Sequence, residues 1–130
     1  MAIQLSTAVR NDRLDAIETR VGTAPILEIW TGNQPADCAT AASGSLLVQF
    51  ALPSDWMAAA SGGSKAKNGT WSGTAVGTGT AGYFRIVESG SPTTCHLQGD
   101  ITDDMTIDNT SIAAGQTVTI TGFTLTDANA

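Results

Sequence analysis

Charge is the first scarcity. Only 14% of the 130 residues are charged, against about 25% in an ordinary soluble domain. Six basic residues face twelve acidic ones, for a formal net charge of −6. Arg10, Arg13 and Arg20 fall within the first twenty positions, and the last thirty residues hold no cation. That distribution has no counterion-release footprint and excludes a nucleic-acid backbone as partner. A basic protein surface suits it better. Apolar runs are short as well: none reaches the ~18 residues of a membrane span, and the N-terminus has no apolar signal core. A soluble protein, made in a cytoplasm and not exported by that route, is the expectation.

Histidine and cysteine are nearly missing. The chain has one histidine, His96, and two cysteines, Cys38 and Cys95. A structural metal site wants four ligands, so this set argues against zinc. Any Ser-His-Asp or Cys-His arrangement would have to use His96, yet strand neighbours point to opposite faces and Cys95 is badly placed to act on it. Neither cysteine sits in a Cys-x-x-Cys pair or at a helix N-terminus, where thiolates are made. Two states stay open for Cys38 and Cys95: free thiols in a reducing cytosol, or a disulfide formed after assembly or lysis. The acidic run Asp100, Asp103, Asp104, Asp108 lacks the alternate spacing, the turn glycine and the distal glutamate of a calcium loop, and reads as a solvated loop. Gly77-Thr-Gly-Thr-Ala-Gly is followed by a strand pattern rather than a helix and a lysine, so it reads as a flexible hairpin loop, not a phosphate cradle. Asn68-Gly-Thr and Asn109-Thr-Ser match a glycosylation sequon, which matters only on export. No catalytic residue, metal or cofactor is expected, and no enzyme.

What the chain does have is size and strand pattern. At 130 residues a single domain can bury about two-thirds of its unfolded surface. One helix is expected over residues 1–22: Ser6 or Thr7 as N-cap, Val9, Ala16, Ile17 and Val21 as the apolar stripe flanked by Leu14, and Gly22 then Pro25 as the stop. Its charged residues, Asp15 and Glu18 among them, suit a solvated face. Residues 26–130 read as strands at 26–31, 46–52, 69–76, 82–88, 94–101, 105–107 and 117–126, separated by glycine, serine and proline. In 94–101 the alternation groups Cys95, Leu97, Gly99 and Ile101. In the last strand the apolar phase runs Val118, Ile120, then slips to Phe123, Leu125, the mark of a β-bulge at Gly122. Pro53 to Ala60 reads as a short helix or turn, or an ordered loop. The fold class is mainly β: a single antiparallel β-sandwich, jelly-roll-like, with one N-terminal α-helix.

Trp30, Trp56 and Trp71 are core residues or anchors at a protein interface, where tryptophan is enriched. The helix, with Val9 and Ile17, either lids one open end of the core or docks on a neighbouring subunit.

The opening run Met1-Ala-Ile-Gln-Leu-Ser-Thr-Ala-Val-Arg-Asn-Asp-Arg-Leu-Asp-Ala-Ile-Glu resembles that of small virion-associated proteins of tailed phages and prophages. Leu52-Pro-Ser-Asp-Trp-Met-Ala-Ala-Ala-Ser-Gly-Gly-Ser-Lys-Ala-Lys, Gly79-Thr-Ala-Gly-Tyr-Phe-Arg-Ile, Thr94-Cys-His-Leu-Gln-Gly and Met105-Thr-Ile-Asp-Asn-Thr-Ser-Ile-Ala-Ala-Gly-Gln-Thr-Val-Thr-Ile are similar too. The resemblance spans nearly the whole chain and implies a particle component, without a catalytic residue to carry over. Small size, a Thr/Ala/Gly-rich surface and negative charge favour a capsid decoration protein that clamps capsid subunits as a homo-oligomer, dimer or trimer. A tail, baseplate or fibre-attachment component is the alternative, and a carbohydrate- or receptor-binding module is a third reading.

Overall fold

The computed structural model describes residues 3–127. Its one helix is α1 (Thr7–Val21), and its strands are β1 (Ile26–Trp30), β2 (Leu46–Ala51), β3 (Ser64–Ala66), β4 (Ser72–Thr74), β5 (Gly79–Thr80), β6 (Tyr83–Glu88), β7 (Ser91–Asp100), β8 (Met105–Ile107), β9 (Ser111–Ile112) and β10 (Thr117–Thr126). The strands build a β-sandwich. One sheet has the order β2-β1-β6-β7; the other is built on β10, with β3 and β4 along one edge and β8 on the other. A third, two-stranded ribbon joins β5 to β9. All the pairings between named strands are antiparallel.

One continuous core fills the space between the sheets, running from Val21 through Leu27, Ile29, Ile86 and Trp71 to Phe123. Its centre is aromatic: Trp71 lies 6.0 Å from Trp56 and 5.5 Å from Phe123, and Phe123 meets Phe84 edge-on at 5.6 Å. These are the offset and edge-to-face geometries that aromatic quadrupoles favour. The sheets join on one side, where Val48 bridges Ala75 and the Val76 amide donates to the Leu47 carbonyl at 2.7 Å. α1 packs on β3 and shares a recess with Leu97 of β7.

The helix begins and ends as its sequence dictates. Ser6 Oγ accepts from the Val9 amide at 3.2 Å, and Gly22, at φ +91°, sends its amide to the Glu18 carbonyl. Its inward face differs from the expected stripe. Leu14, Ile17 and Val21 turn inward, while Val9 and Ala16 lie exposed. The supposedly solvated charges are also corrected: Asp15 and Glu18 grip Lys65 of β3 at 2.6 and 2.8 Å. Asn11 accepts from the Gly63 amide at 2.9 Å, and Arg13 pairs with Asp127 at 3.1 Å. Polar pairing on β3 and its turn therefore sets the helix's rotation.

Several strand boundaries shift. Residues 69–76 form only the short β4, while β3, β5 and β9 arise where no strand pattern is visible. Gly77-Thr-Gly-Thr-Ala-Gly is not a free hairpin loop, because Gly79 and Thr80 pair with Ile112 and Ser111. Residues 53–60 form no helix; Met57 bridges Lys67 as part of an ordered loop. The β10 bulge falls where the phase slips, between Ile120 and Gly122. A bulge in β7 has more effect. Ile86 pairs with Leu97 but Val87 pairs with Cys95, so His96 is the extra residue. Cys95 thus leaves the face of Leu97 and Gly99.

Candidate functional site

The outer face of the four-stranded sheet carries a row of polar side chains. Register sets Gln49 beside Glu28, Glu28 beside Arg85, and Arg85 beside Gln98, one residue from each strand. Gln49 Nε2 donates to Glu28 Oε2 at 2.9 Å, and Trp30 Nε1 donates to Oε1 at 3.3 Å. Arg85 donates from Nε and Nη2 to Gln98 Oε1 at 3.2 and 3.0 Å.

Residues 31–45, which connect β1 to β2, fold back over this row as a strap. Arg85 Nη2 donates to the carbonyls of Asp37, at 3.2 Å, and Thr40, and Gln98 Nε2 donates to the Pro35 carbonyl at 2.9 Å. Tyr83, stacked on Trp30 with ring centroids 6.4 Å apart, gives its hydroxyl proton to the Ser43 carbonyl at 2.6 Å and accepts from the Ser43 amide at 2.9 Å. The strap's foot needs glycine: a Cβ on Gly82 would collide with the Gly32 carbonyl. Between strap and sheet lies a cleft of about 400 Å³ lined by Glu28, Trp30, Cys38, Thr40, Arg85 and Val87, among others.

Electrostatics in the cleft follow from burial. Desolvation raises the Glu28 carboxyl above its ordinary range, while the bonds from Trp30 and Gln49 and the Arg85 charge oppose that rise. Asp37 is lowered by the Thr40 hydroxyl and amide it accepts from. The Cys95 thiol is pushed up to about 12, first by burial and then by its hydrogen bond with Cys38. Chemically, the row acts as a clamp: Arg85 is buried and directs its donors to its own strap and Gln98, and both Glu28 oxygens are engaged.

A second recess, about 450 Å³, separates α1 from β7. Ala16, Ile17, Val21 and Leu97 form its apolar floor, with Arg13, Arg20 and His96 around it. His96 Nε2 lies 3.2 Å from Glu88 Oε1. Arg13 and Arg20 bring positive charge to this recess on an otherwise acidic protein.

The residues singled out in the sequence scatter. Trp56 and Trp71 are fully buried, with indole N–H groups donating to the carbonyls of Gly22 and Asn68, both at 3.0 Å. They are core residues, which corrects their candidacy as interface anchors. Trp30 lines the cleft, Ile17 lines the recess, and Val9 lies on the exposed side of α1. Among the acidic run, Asp104 Oδ2 accepts from the Asp100 amide at 2.9 Å and Asp108 Oδ1 from the Thr119 amide at 3.2 Å. Among the described residues no three His, Cys, Asp or Glu side chains come together as a metal site, and no helix is long and apolar enough to cross a membrane. The sequence reading missed the Glu28–Arg85 row and the Lys65 cluster, although Glu28 in β1 and Lys65 in β3 each break an otherwise uncharged strand. No family model matches the chain, and neither do any curated protein or solved structure.

Proposed function

We propose that the chain is a structural component of a tailed-phage particle, working as a decoration domain that packs on the capsid shell and clamps neighbouring capsid subunits. One observation carries the reading: Arg85, Glu28, Lys65, Trp56 and Trp71 are committed inside the molecule. Arg85 holds the strap, Glu28 is bonded by Trp30 and Gln49, Lys65 is bonded by Asp15 and Glu18, and Trp56 and Trp71 fill the core. The outer surface is left largely to threonine, serine, alanine, asparagine and glycine. Such side chains lose little rotamer entropy when a partner covers them. The resemblance of the opening run and the internal phrases to virion-associated proteins supports the same reading, as does a charge of −6 toward a basic partner face.

A homo-oligomer, dimer or trimer, fits a role on a symmetric shell. The alternative placement in the tail draws on α1 as a docking element, and its inward face is already engaged on β3. A sugar-binding role through Trp56 and Trp71 is not carried forward, because both rings are buried.

Cryo-electron microscopy of purified particles tests the proposal. Density for this fold repeated over the capsid lattice is the expected result. A single ring of copies at the neck or tail would move the protein to the alternative. Absence from the particle would overturn both.

A further inference from the structure

The strap is held without an apolar anchor. None of residues 31–45 is buried, so hydrogen bonds from Arg85, Gln98 and Tyr83 fasten it to the sheet. Cys38 lies in the Asp37–Thr40 turn of this strap. That turn is fixed internally by the Thr40 amide and hydroxyl, each 2.8 Å from Asp37 Oδ1, and externally by Arg85 on the Asp37 and Thr40 carbonyls. Cys95 reaches the same place from the sheet. The β7 bulge at His96 sets it opposite Val87, which lines the cleft with Cys38. Register and cleft lining thus bring the two cysteines to the same place, and Cys95 Sγ donates to the Leu97 carbonyl at 3.2 Å.

We propose that Cys38 and Cys95 are an oxidative modification site, which closes to an intramolecular disulfide by exchange with a small-molecule disulfide of the glutathione class and so staples the strap to β7. The step balances in two exchanges. The Cys38 thiolate attacks one sulfur of the oxidised reagent, forming a mixed disulfide and expelling one reagent thiolate. Cys95 then loses its proton and attacks the Cys38 sulfur, forming the protein disulfide and expelling the second thiolate. The two thiol protons pass to the departing thiolates, and two electrons from the protein reduce one reagent disulfide to two thiols. The order follows from access: Cys38 lines the open cleft, whereas Cys95 lies on the sheet beneath the strap, where burial pushes its thiol up. The second exchange is therefore the slow one. A reducing cytosol keeps the strap unlinked, and an oxidising exterior links it. The proposal does not depend on the particle reading.

The test treats the native, fully reduced protein with oxidised glutathione. Free thiols are expected to fall from two to none, with an end-point mass lower by about 2 Da and no retained glutathione. Peptide mapping should recover the Cys38 and Cys95 peptides joined. The thermal midpoint should rise by about 10 °C and return on reduction, as closing a loop of that length predicts. Cys95→Ser should stop at a mixed disulfide on Cys38, because the resolving thiol is gone. Cys38→Ser should show neither the mass loss nor the midpoint shift. A stable glutathione adduct on the wild-type protein, a disulfide between two copies, or thiols that react only after denaturation would overturn the proposal.

Discussion

Lys65 is only 1% exposed, yet its partners Asp15 and Glu18 are 47% and 25% exposed. Burial works against the ammonium, but the bonds to Asp15 and Glu18 outweigh it and hold the Lys65 pKa above its ordinary value. The two ends of the cluster therefore respond differently to deletion. Lys65→Met replaces a buried charge with an apolar chain of similar length, and both carboxylates can turn to water; it should cost about 1 kcal/mol. Asp15→Ala combined with Glu18→Ala leaves the ammonium with the Ala58 carbonyl, 2.9 Å away, as its remaining described acceptor. The double variant should therefore be the less stable of the two in urea unfolding. The reverse order would mean that the cluster does not carry the helix's seat. Glu28 gives a second test through its sign. Its folded pKa is raised, so protonation favours the folded state: the stabilising contribution is full below the unfolded value of 4.5 and is lost as pH rises through the folded pKa. Glu28→Gln should remove that loss, making the thermal midpoint flatter with pH just above 4.5 than in the wild type. Parallel curves would refute the assignment.

At the scale of elements, the strap and the strands were legible to different degrees. The strap is anchored where Gly82 passes the Gly32 carbonyl, and the Gly82 amide donates to the Trp30 carbonyl at 2.8 Å. Gly82→Ala forces that crossing apart and should cost about 2 kcal/mol, read by urea unfolding. Faster cleavage of residues 31–45 by a low-specificity protease should accompany it. Unchanged cleavage with lost stability would place the damage elsewhere. The sequence carries β1, β2, β6 and β10 plainly, because their apolar phases are long enough to show a two-residue period. It does not carry β3, β5 or β9: Ser-Lys-Ala, Gly-Thr and Ser-Ile have no period of their own and are strands only through pairing with distant partners. The helix's ends were written in Ser6 and Gly22. Its rotation was not, since that depends on Lys65, some fifty residues away in sequence. The polar row was hidden for a similar reason: Glu28 and Arg85 become neighbours through cross-strand register, which a single chain of letters does not state.

The whole molecule is an acidic sandwich with a formal charge of −6 and a sequence isoelectric point of about 4.3. Its surface has few long charged side chains, so net charge is the main repulsion between copies. Acid removes that repulsion before it removes the fold. Asp15 is lowered from 3.8 chiefly by Lys65, and Asp37 is lowered from 3.8 by Thr40. A lowered carboxylate stabilises the folded state above its unfolded pKa and loses that contribution as pH falls through the folded value. Both contributions are therefore intact near pH 4.3 and fade below 3.8. Two separate events should appear on acidification. Light scattering should rise first, near the isoelectric point, with circular dichroism unchanged, because neutral copies with short side chains meet without repulsion. Loss of the folded signal should follow at lower pH, and Lys65→Met should bring it on at higher pH by returning Asp15 toward its ordinary value. Scattering and unfolding at one pH in both proteins would show that association starts from the unfolded chain, and the exposed face would then lose its claim to be a packing surface.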